Sequence, residues 1–379
     1  MAPDPAVIFP RPYLFPMRYP TRQIHVGSLP IGGDAPIAVQ SMCSTPAEDA
    51  PATLAQIGRL AQAGCQLVRV AYPSLSCRDA LERICRESPL PVVADIHFDG
   101  RLALSALEAG VQGLRLNPGN LARRELLREV ARAAAEQGCA VRVGVNMGSL
   151  SPRAREKYGP TAQAMVESAR EFLGDFEEAG CQNLKVSLKA SHIPLTLEAC
   201  RLFRPLSPWP LHLGLTEAGT PASGILKSAI ALGALLLEGI GDTIRVSLTA
   251  PPEEEVAAAY QILDALGLRP GRPQLVSCPT CGRTRISLIP LAEKVEKEIQ
   301  RLLDQGYRLP LKKIAVMGCE VNGPGEAADA DLGIAGGAGR GVLFRQGKIL
   351  KVLPEEELFP ALQEELRRVA LPPPPPDAR

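Results

Sequence analysis

From residue 37 onward, eight short runs of β-forming residues alternate with longer runs of helical apolar spacing. The candidate strands are 37–42, 66–71, 91–96, 112–116, 140–145, 183–188, 211–215 and 243–248. Between them lie candidate helices such as 52–63, where Leu54, Ile57 and Leu60 recur every three residues, and 125–137, 162–179 and 253–266. Gly64, Gly110, Gly138, Gly180 and Gly267 each follow a helical run, the position where a left-handed cap ends a helix. Strands alternating with helices imply a parallel sheet. Eight such units match a (β/α)8 barrel, which typically takes about 250 residues. The rival, a doubly wound open sheet, would carry a glycine-rich G-x-G-x-x-G turn after its first strand, and none stands there. The expected fold class is therefore α/β, a TIM-like barrel.

The chain continues past the eighth unit. Residues 275–370 carry a C-P-T-C sequence, a charged amphipathic helix over 291–303, and a strand over 313–317. A glycine-rich turn, short strands near 332–335, 342–345 and 349–353, and a helix over 355–369 follow. This reads as a small α+β domain. The expected divisions are an N-terminal arm (1–20), the barrel (21–267), the second domain (268–370) and a Pro-rich tail (371–379). Pro270, Gly271 and Pro273 mark the linker. The arm has no basic start followed by an unbroken apolar run, so it does not read as a secretory signal. Its Phe9, Tyr13, Phe15 and Tyr19 are suited to clamping onto the domain. The longest uncharged apolar run, between Lys227 and Glu238, is too short to span a bilayer. With 42 Lys+Arg against 41 Asp+Glu, the chain lacks the basic excess of a nucleic-acid binder. Ten cysteines in 379 residues are too dilute for a disulfide scaffold and fit a reducing cytoplasm.

Barrel strands are buried and normally read Val, Ile and Leu. Here they carry charge. Arg69 sits in LVRVA, and Asp95 and His97 in VVADIHF. Arg115 and Asn117 fall in LRLN, and Arg142 and Asn146 in VRVGVN. Lys185 and Lys189 fall in LKVSLK, Thr216 and Glu217 in LGLTEAG, and Arg245 and Ser247 in IRVSLT. The pairs 115/117, 142/146, 185/189 and 245/247 each keep one parity, so each faces one side of its strand. In a barrel that side can be the interior, with later members at the C-terminal mouth where barrel enzymes hold substrate. Six cations on five strands face two acids, Asp95 and Glu217. Uncompensated buried cations are costly, and an anionic ligand such as a small phosphate ester resolves the imbalance. Asp95, His97 and Glu217 are the candidate proton-transfer groups.

In the second domain, Cys278 and Cys281 form the C-x-x-C pair and Cys319 stands in GCEVNGPGE. Three thiolates fall short of a four-cysteine zinc or cluster site. No histidine and no fourth cysteine lies nearby, so Glu320 and Glu326 are the nearest oxygen donors. A carboxylate is a harder ligand than thiolate, open to displacement by an oxygen-bearing substrate. The other seven cysteines sit where small apolar residues serve as well. Cys43, at the end of the first strand, is the one worth watching.

These segments together are similar to a known family. QSM (40–42), ADIHFD (94–99), LRLNPGN (114–120), RVGVNMGSL (142–150), KVSLKAS (185–191), HLGLTEAG (212–219), EGIGDTIRVSLT (238–249), SCPTCGR (277–283) and GCEVNGPGE (318–326) resemble the 4-hydroxy-3-methylbut-2-enyl diphosphate synthase family, in its order. The resemblance implies a (β/α)8 barrel followed by a [4Fe-4S] domain with Cys278, Cys281, Cys319 and Glu326 as cluster ligands. It implies 2-C-methyl-D-erythritol 2,4-cyclodiphosphate as substrate. Arg69, Arg115, Arg142, Asn146, Lys189, Thr216, Arg245 and Ser247 correspond to binding positions, Glu217 to the catalytic carboxylate, and Asn322 to a residue reaching substrate from the cluster side. Asp95, His97 and Asn117 join the expected binding set. A ferredoxin or flavodoxin as electron donor and a head-to-tail homodimer are also implied. Cys43 stands where the family usually has Thr, and Met147 where it has a small residue. Two other readings compete: a barrel phosphate-ester lyase or transferase with a structural zinc domain, and a non-catalytic iron–sulfur scaffold or sensor.

Overall fold

A computed structural model describes residues 18–97, 99–117, 124–269, 271–319, 327–337 and 339–372. Phe9, Tyr13 and Phe15 of the arm, Asn322, Glu326 and most of the tail lie outside the described residues. The chain divides between Ile262 and Leu263 into two compact units.

The first unit opens with a feature absent from the sequence expectation, an antiparallel hairpin of β1 (Ile24–Val26) and β2 (Leu29–Ile31). Ile24 and Val26 of β1 and Ile31 of β2 are buried, and these three side chains anchor the hairpin. Of the arm aromatics, Tyr19 is held: its amide donates to Gly239 O at 2.9 Å and the Arg204 guanidinium lies 5.3 Å from its ring centre.

Eight strands follow: β3 (Ala38–Met42), β4 (Leu67–Ala71), β5 (Val92–Ile96), β6 (Gly113–Leu116), β7 (Ala140–Asn146), β8 (Leu184–Lys189), β9 (His212–Leu213) and β10 (Thr243–Ile244). Their order is β8-β7-β6-β5-β4-β3-β10-β9, with every pairing parallel. A parallel bridge between Val186 and Leu211 joins the two ends and closes the barrel. The outer helices are α1 (Ala50–Gln62), α2 (Arg78–Glu87), α3 (Gly100–Glu108), α4 (Arg124–Glu136), α5 (Pro152–Tyr158), α6 (Ala162–Glu178), α7 (Ile193–Phe203), α8 (Pro221–Leu237) and α9 (Pro252–Ala265). In α1 the Asp49 carboxylate accepts from Ala52 N at 2.9 Å, an N-terminal cap. Ile57 and Leu60 are fully buried against the sheet, and Gly64 leaves the helix at φ +95°. The other anticipated cap glycines also have left-handed φ.

The last two strands are shorter than the expected 211–215 and 243–248. Arg245 N still bonds Leu213 O at 3.0 Å. Beyond it the chain at Gly214 runs so close to Arg245 that a Cβ there would lie 2.5 Å from the Arg245 carbonyl oxygen. That close approach replaces regular pairing.

The second unit is a five-stranded sheet in sequence order: β11 (Gln274–Ser277), β12 (Lys313–Met317), β13 (Leu332–Gly336), β14 (Arg340–Arg345) and β15 (Lys348–Pro354). The first three are parallel and the last two pair antiparallel. β11, which begins at Gln274 where the Pro/Gly-rich linker ends, is not among the expected strands. Helix α10 (Leu288–Asp304) buries Val295, Ile299 and Leu302, and α11 (Glu355–Val369) buries Leu358, Leu362 and Leu366. These helical spacings form one core with Ile314, Val316, Leu332, Ile334 and Leu343. Among the described residues no helix is long and apolar enough to cross a membrane.

Candidate active site

Strand parity puts the polar residues inside the barrel. The register Asp95–Arg115–Arg142–Lys185 runs straight across β5, β6, β7 and β8. At the C-terminal ends of the strands lies a cavity of about 350 Å³, lined by Arg69, Asp95, His97, Arg115, Arg142, Asn146, Lys189, Thr216, Glu217, Arg245 and Ser247. Asn117 does not line it. It is buried beyond β6, and its Oδ1 has no hydrogen-bond partner among the described residues. Gly144 and Gly214 keep the floor open, because a Cβ there would come within 2.8 Å of Arg115 Nε and 2.5 Å of Lys189 Nζ respectively.

The internal pairing is incomplete. Asp95 Oδ1 accepts from Arg115 Nη1 at 3.2 Å, and its Oδ2 lies 3.7 Å from Arg69 Nε and 3.1 Å from His97 Nε2. Arg69 also directs Nη2 and Nε at Met42 Sδ, at 2.8 and 3.1 Å. Arg142 is 2% exposed and donates from Nη1 to Gln40 Oε1 at 3.2 Å. Arg142 Nε, Arg115 Nε and Lys185 Nζ have no partner among the described residues.

The expected second counter-acid, Glu217, makes no ion pair among the described residues; it is exposed at the cavity rim. The buried acid is Glu255 on α9. Its carboxylate accepts from Arg245 Nε and Nη2, from Ser41 Oγ and from Leu248 N, each at 3.1 Å. Glu255 was missed because it sits in a run of three glutamates that reads as a solvated first turn. Its signal was helical spacing: Ala258, Ala259 and Ile262 lie three, four and seven residues on and are all buried. Gln40 and His212 were missed as well, though each is a polar residue written into a strand.

The charges respond to this crowding. Burial opposes the Asp95 carboxylate, yet Arg69, His97 and Arg115 together hold it well below the usual carboxylate range. Burial pushes Arg69 down to about 10, against the pull of Asp95. Arg142 is driven well below its ordinary value by burial and then by Arg69 and Arg115. Burial and Arg142 push Lys185 down to about 7. Glu217 has φ +56°, a left-handed conformation uncommon for a residue with a Cβ. Leu215 before it and Ala218 after it are buried.

In the second unit, Ser277 and Val316 are register partners on the parallel strands β11 and β12. Cys278 follows one strand directly and Cys319 follows the other by two residues, so both leave the same end of the sheet. Gly318 N donates to Cys278 Sγ at 3.2 Å. Thr284 Oγ1 accepts from Cys281 N at 3.1 Å, folding the C-P-T-C turn. The Arg283 backbone amide, then its side chain, lowers the Cys281 thiol. Among the described residues no group of three or more His, Cys, Asp or Glu side chains converges on one point, and Glu326 and Asn322 lie outside them. Of the remaining cysteines six are buried and Cys85 half-buried. Burial pushes the Cys43 thiol up to about 12, which disfavours its thiolate.

Residues 21–260 match the GcpE TIM-barrel domain and residues 274–368 match the GcpE protein C-terminal domain. The chain belongs to the GcpE family. GcpE relatives include a 4-hydroxy-3-methylbut-2-en-1-yl diphosphate synthase (flavodoxin) of Geobacter sulfurreducens, 53% identical over 93% of this chain and 99% of the relative. A protein of the same name from Geobacillus thermodenitrificans is 50% identical over 93% of both chains. Another, from Maridesulfovibrio salexigens, is 50% identical over 92% of this chain and 96% of the relative. The two GcpE segments fall on either side of residues 261–273, which contain the end of α9 and the Pro/Gly-rich connection.

Proposed function

We propose that this chain carries out the reductive ring opening and dehydroxylation of 2-C-methyl-D-erythritol 2,4-cyclodiphosphate, giving (E)-4-hydroxy-3-methylbut-2-enyl diphosphate. The observation that carries this reading is the excess of guanidinium groups inside the barrel, on Arg69, Arg115, Arg142 and Arg245, over the buried acids Asp95 and Glu255. An anionic ligand supplies the missing charge, and a diphosphate offers oxygens to several forks at once. Arg69, Arg115, Arg142, Lys189 and Arg245 hold the two phosphoryl groups. Asn146, Thr216 and Ser247 orient them, and His97, steadied by Asp95, completes the rim. Glu217, facing the cavity, delivers a proton to the departing hydroxyl, which leaves as water.

Cys278, Cys281, Cys319 and Glu326 would hold a [4Fe-4S] cluster. The chemistry of the donor set fits: two cysteines follow adjacent strand ends, a third sits on the C-P-T-C turn after the first, and the Cys281 thiol is lowered toward thiolate. Such a cluster supplies the two electrons, one at a time. A flavodoxin or ferredoxin delivers them in the cytoplasm. Asn322 reaches substrate from the cluster side, and a head-to-tail homodimer brings one protomer's C-terminal domain to the partner's barrel. The deciding experiment is anaerobic turnover of the cyclodiphosphate with a chemical reductant. Formation of the allylic diphosphate is the expected result. Stoichiometric zinc, no iron or sulfide, and no turnover would favour the lyase reading instead.

A further inference from the structure

His212 belongs to none of the groups assigned above. It is 1% exposed, on β9, beneath the cavity. Its Nδ1 lies 2.7 Å from Thr243 Oγ1 and its Nε2 lies 3.1 Å from Nζ of Lys189, which lines the cavity. An ammonium group only donates. Once Nζ is an ammonium, Nε2 accepts from it and Nδ1–H donates to Thr243 Oγ1, which fixes the ring in one tautomer.

We propose that His212 is a positioning residue that aims Lys189 Nζ into the cavity as an acceptor for its ammonium form, and that Lys189 takes up a proton from solvent when the anionic ligand binds. The proposal rests on the reading that a diphosphate fills this cavity. In the step, one proton passes from the buffer to Nζ; no other bond is made or broken.

The surroundings of Lys189 support this. Arg142 on β7, Arg245 after β10, Arg69 on β4 and Arg115 on β6 all act on it, Cys200 on α7 lies near it, and Lys185 shares its parity on β8. The acids near that cluster are Asp95 on β5 and Glu255 on α9, both already engaged with arginines, with His97 and Glu217 at the rim. Burial, then Arg142, Arg245, Arg69 and Arg115, drives Lys189 well below its ordinary value. His212 is held neutral by burial and by Lys189, Arg142, Lys185 and Arg69. A dianion entering the cavity reverses the field at Nζ and favours the ammonium form. His212 cannot compete for that proton and serves as its acceptor.

The test is calorimetric titration of the anaerobic, unreduced holoenzyme with the cyclodiphosphate, in buffers of different ionisation enthalpy, from pH 6 to 9. Each phosphorus of this ligand carries one strongly acidic oxygen, so the ligand itself does not titrate in that range. The expected result is net uptake of about one proton per ligand at pH 8, abolished in Lys189→Met. His212→Leu is expected to weaken binding about tenfold at pH 8 and move the alkaline loss of affinity to lower pH. His212→Gln, which keeps an acceptor toward Nζ, is expected to restore most of both. Binding without proton uptake overturns the proposal and leaves the functional reading standing. So does uptake retained in Lys189→Met, or an equal, pH-independent loss in His212→Leu and His212→Gln. Absence of any binding overturns the functional reading along with it.

Discussion

Glu255 grips Arg245 with both carboxylate oxygens, Oε2 to Nε and Oε1 to Nη2, each at 3.1 Å. The acid comes from a helix outside the barrel and the cation from the barrel interior, so the pair sets where the guanidinium points. Breaking a buried pair by removing one partner costs about 3–5 kcal/mol. Glu255→Gln keeps the volume and one acceptor, so a loss toward the lower end is expected in urea unfolding. Weaker cyclodiphosphate binding is expected with it, at unchanged iron content. Unchanged stability would mean that the pair does not anchor Arg245.

Arg142 is among the largest fully buried side chains and points into the same cavity. Arg142→Met keeps its bulk and removes its donors. Charge-assisted hydrogen bonds are worth about 1.5–3 kcal/mol each, so binding is expected to weaken about 10–100-fold. The visible absorbance of the proposed cluster is expected to stay the same. Equal affinity for the cyclodiphosphate in titration calorimetry would remove Arg142 from the binding set.

Lys185 is buried with no partner for Nζ among the described residues. Its pKa is pushed from 10.5 in the unfolded chain down to about 7. Between these values the unfolded state binds more protons than the folded one, so this group makes stability rise as pH increases from 7 toward 10.5. Lys185→Met is expected to flatten that rise and to stabilise the ligand-free protein at pH 7 by about 1–4 kcal/mol. Thermal unfolding across pH 7–10 measures both effects, and a variant that melts lower with the same pH slope counts against them.

Asp95 has the opposite sign of charge and its own pH window. Its folded pKa is depressed, so its contribution is full above about pH 5 and is lost as pH falls through the folded value. Asp95→Asn is expected to melt lower than the parent at pH 7, with the gap narrowing toward pH 3. A constant gap over that range would assign the loss to packing rather than to charge.

Cys281 is exposed at the turn that Thr284 closes. Cys281→Ser is expected to lose iron and sulfide on purification while far-UV circular dichroism is unchanged, because its side chain packs into neither sheet. Full iron content in this variant would exclude Cys281 as a ligand.

Much of the site was legible because barrel strands punish charge. Arg69, Arg115, Arg142 and Arg245 stood out against Val, Ile and Leu, and period two showed which side each faces. Asn117 shares the parity of Arg115 yet lies outside the cavity, since parity tells inside from outside but not how far along the axis a residue sits. Glu255 was hidden for a different reason: it approaches from a helix, and no local pattern links it to Arg245 ten residues earlier. The hairpin at Ile24–Ile31 and strand β11 were missed because runs of three or four residues carry too little periodicity to read.

Residue order alone determined the eight strand–helix units, the left-handed cap glycines and the inward parity of the cations, because these depend on spacing and on local backbone preference. Tertiary structure alone decided which charges meet. Asp95 reaches Arg115 and Arg69 across neighbouring strands, Glu255 reaches Arg245 from outside the sheet, and Lys189 meets His212 rather than any acid among the described residues. Ion pairing depends on distances of a few ångströms between residues far apart in sequence, and closing the barrel is what sets those distances.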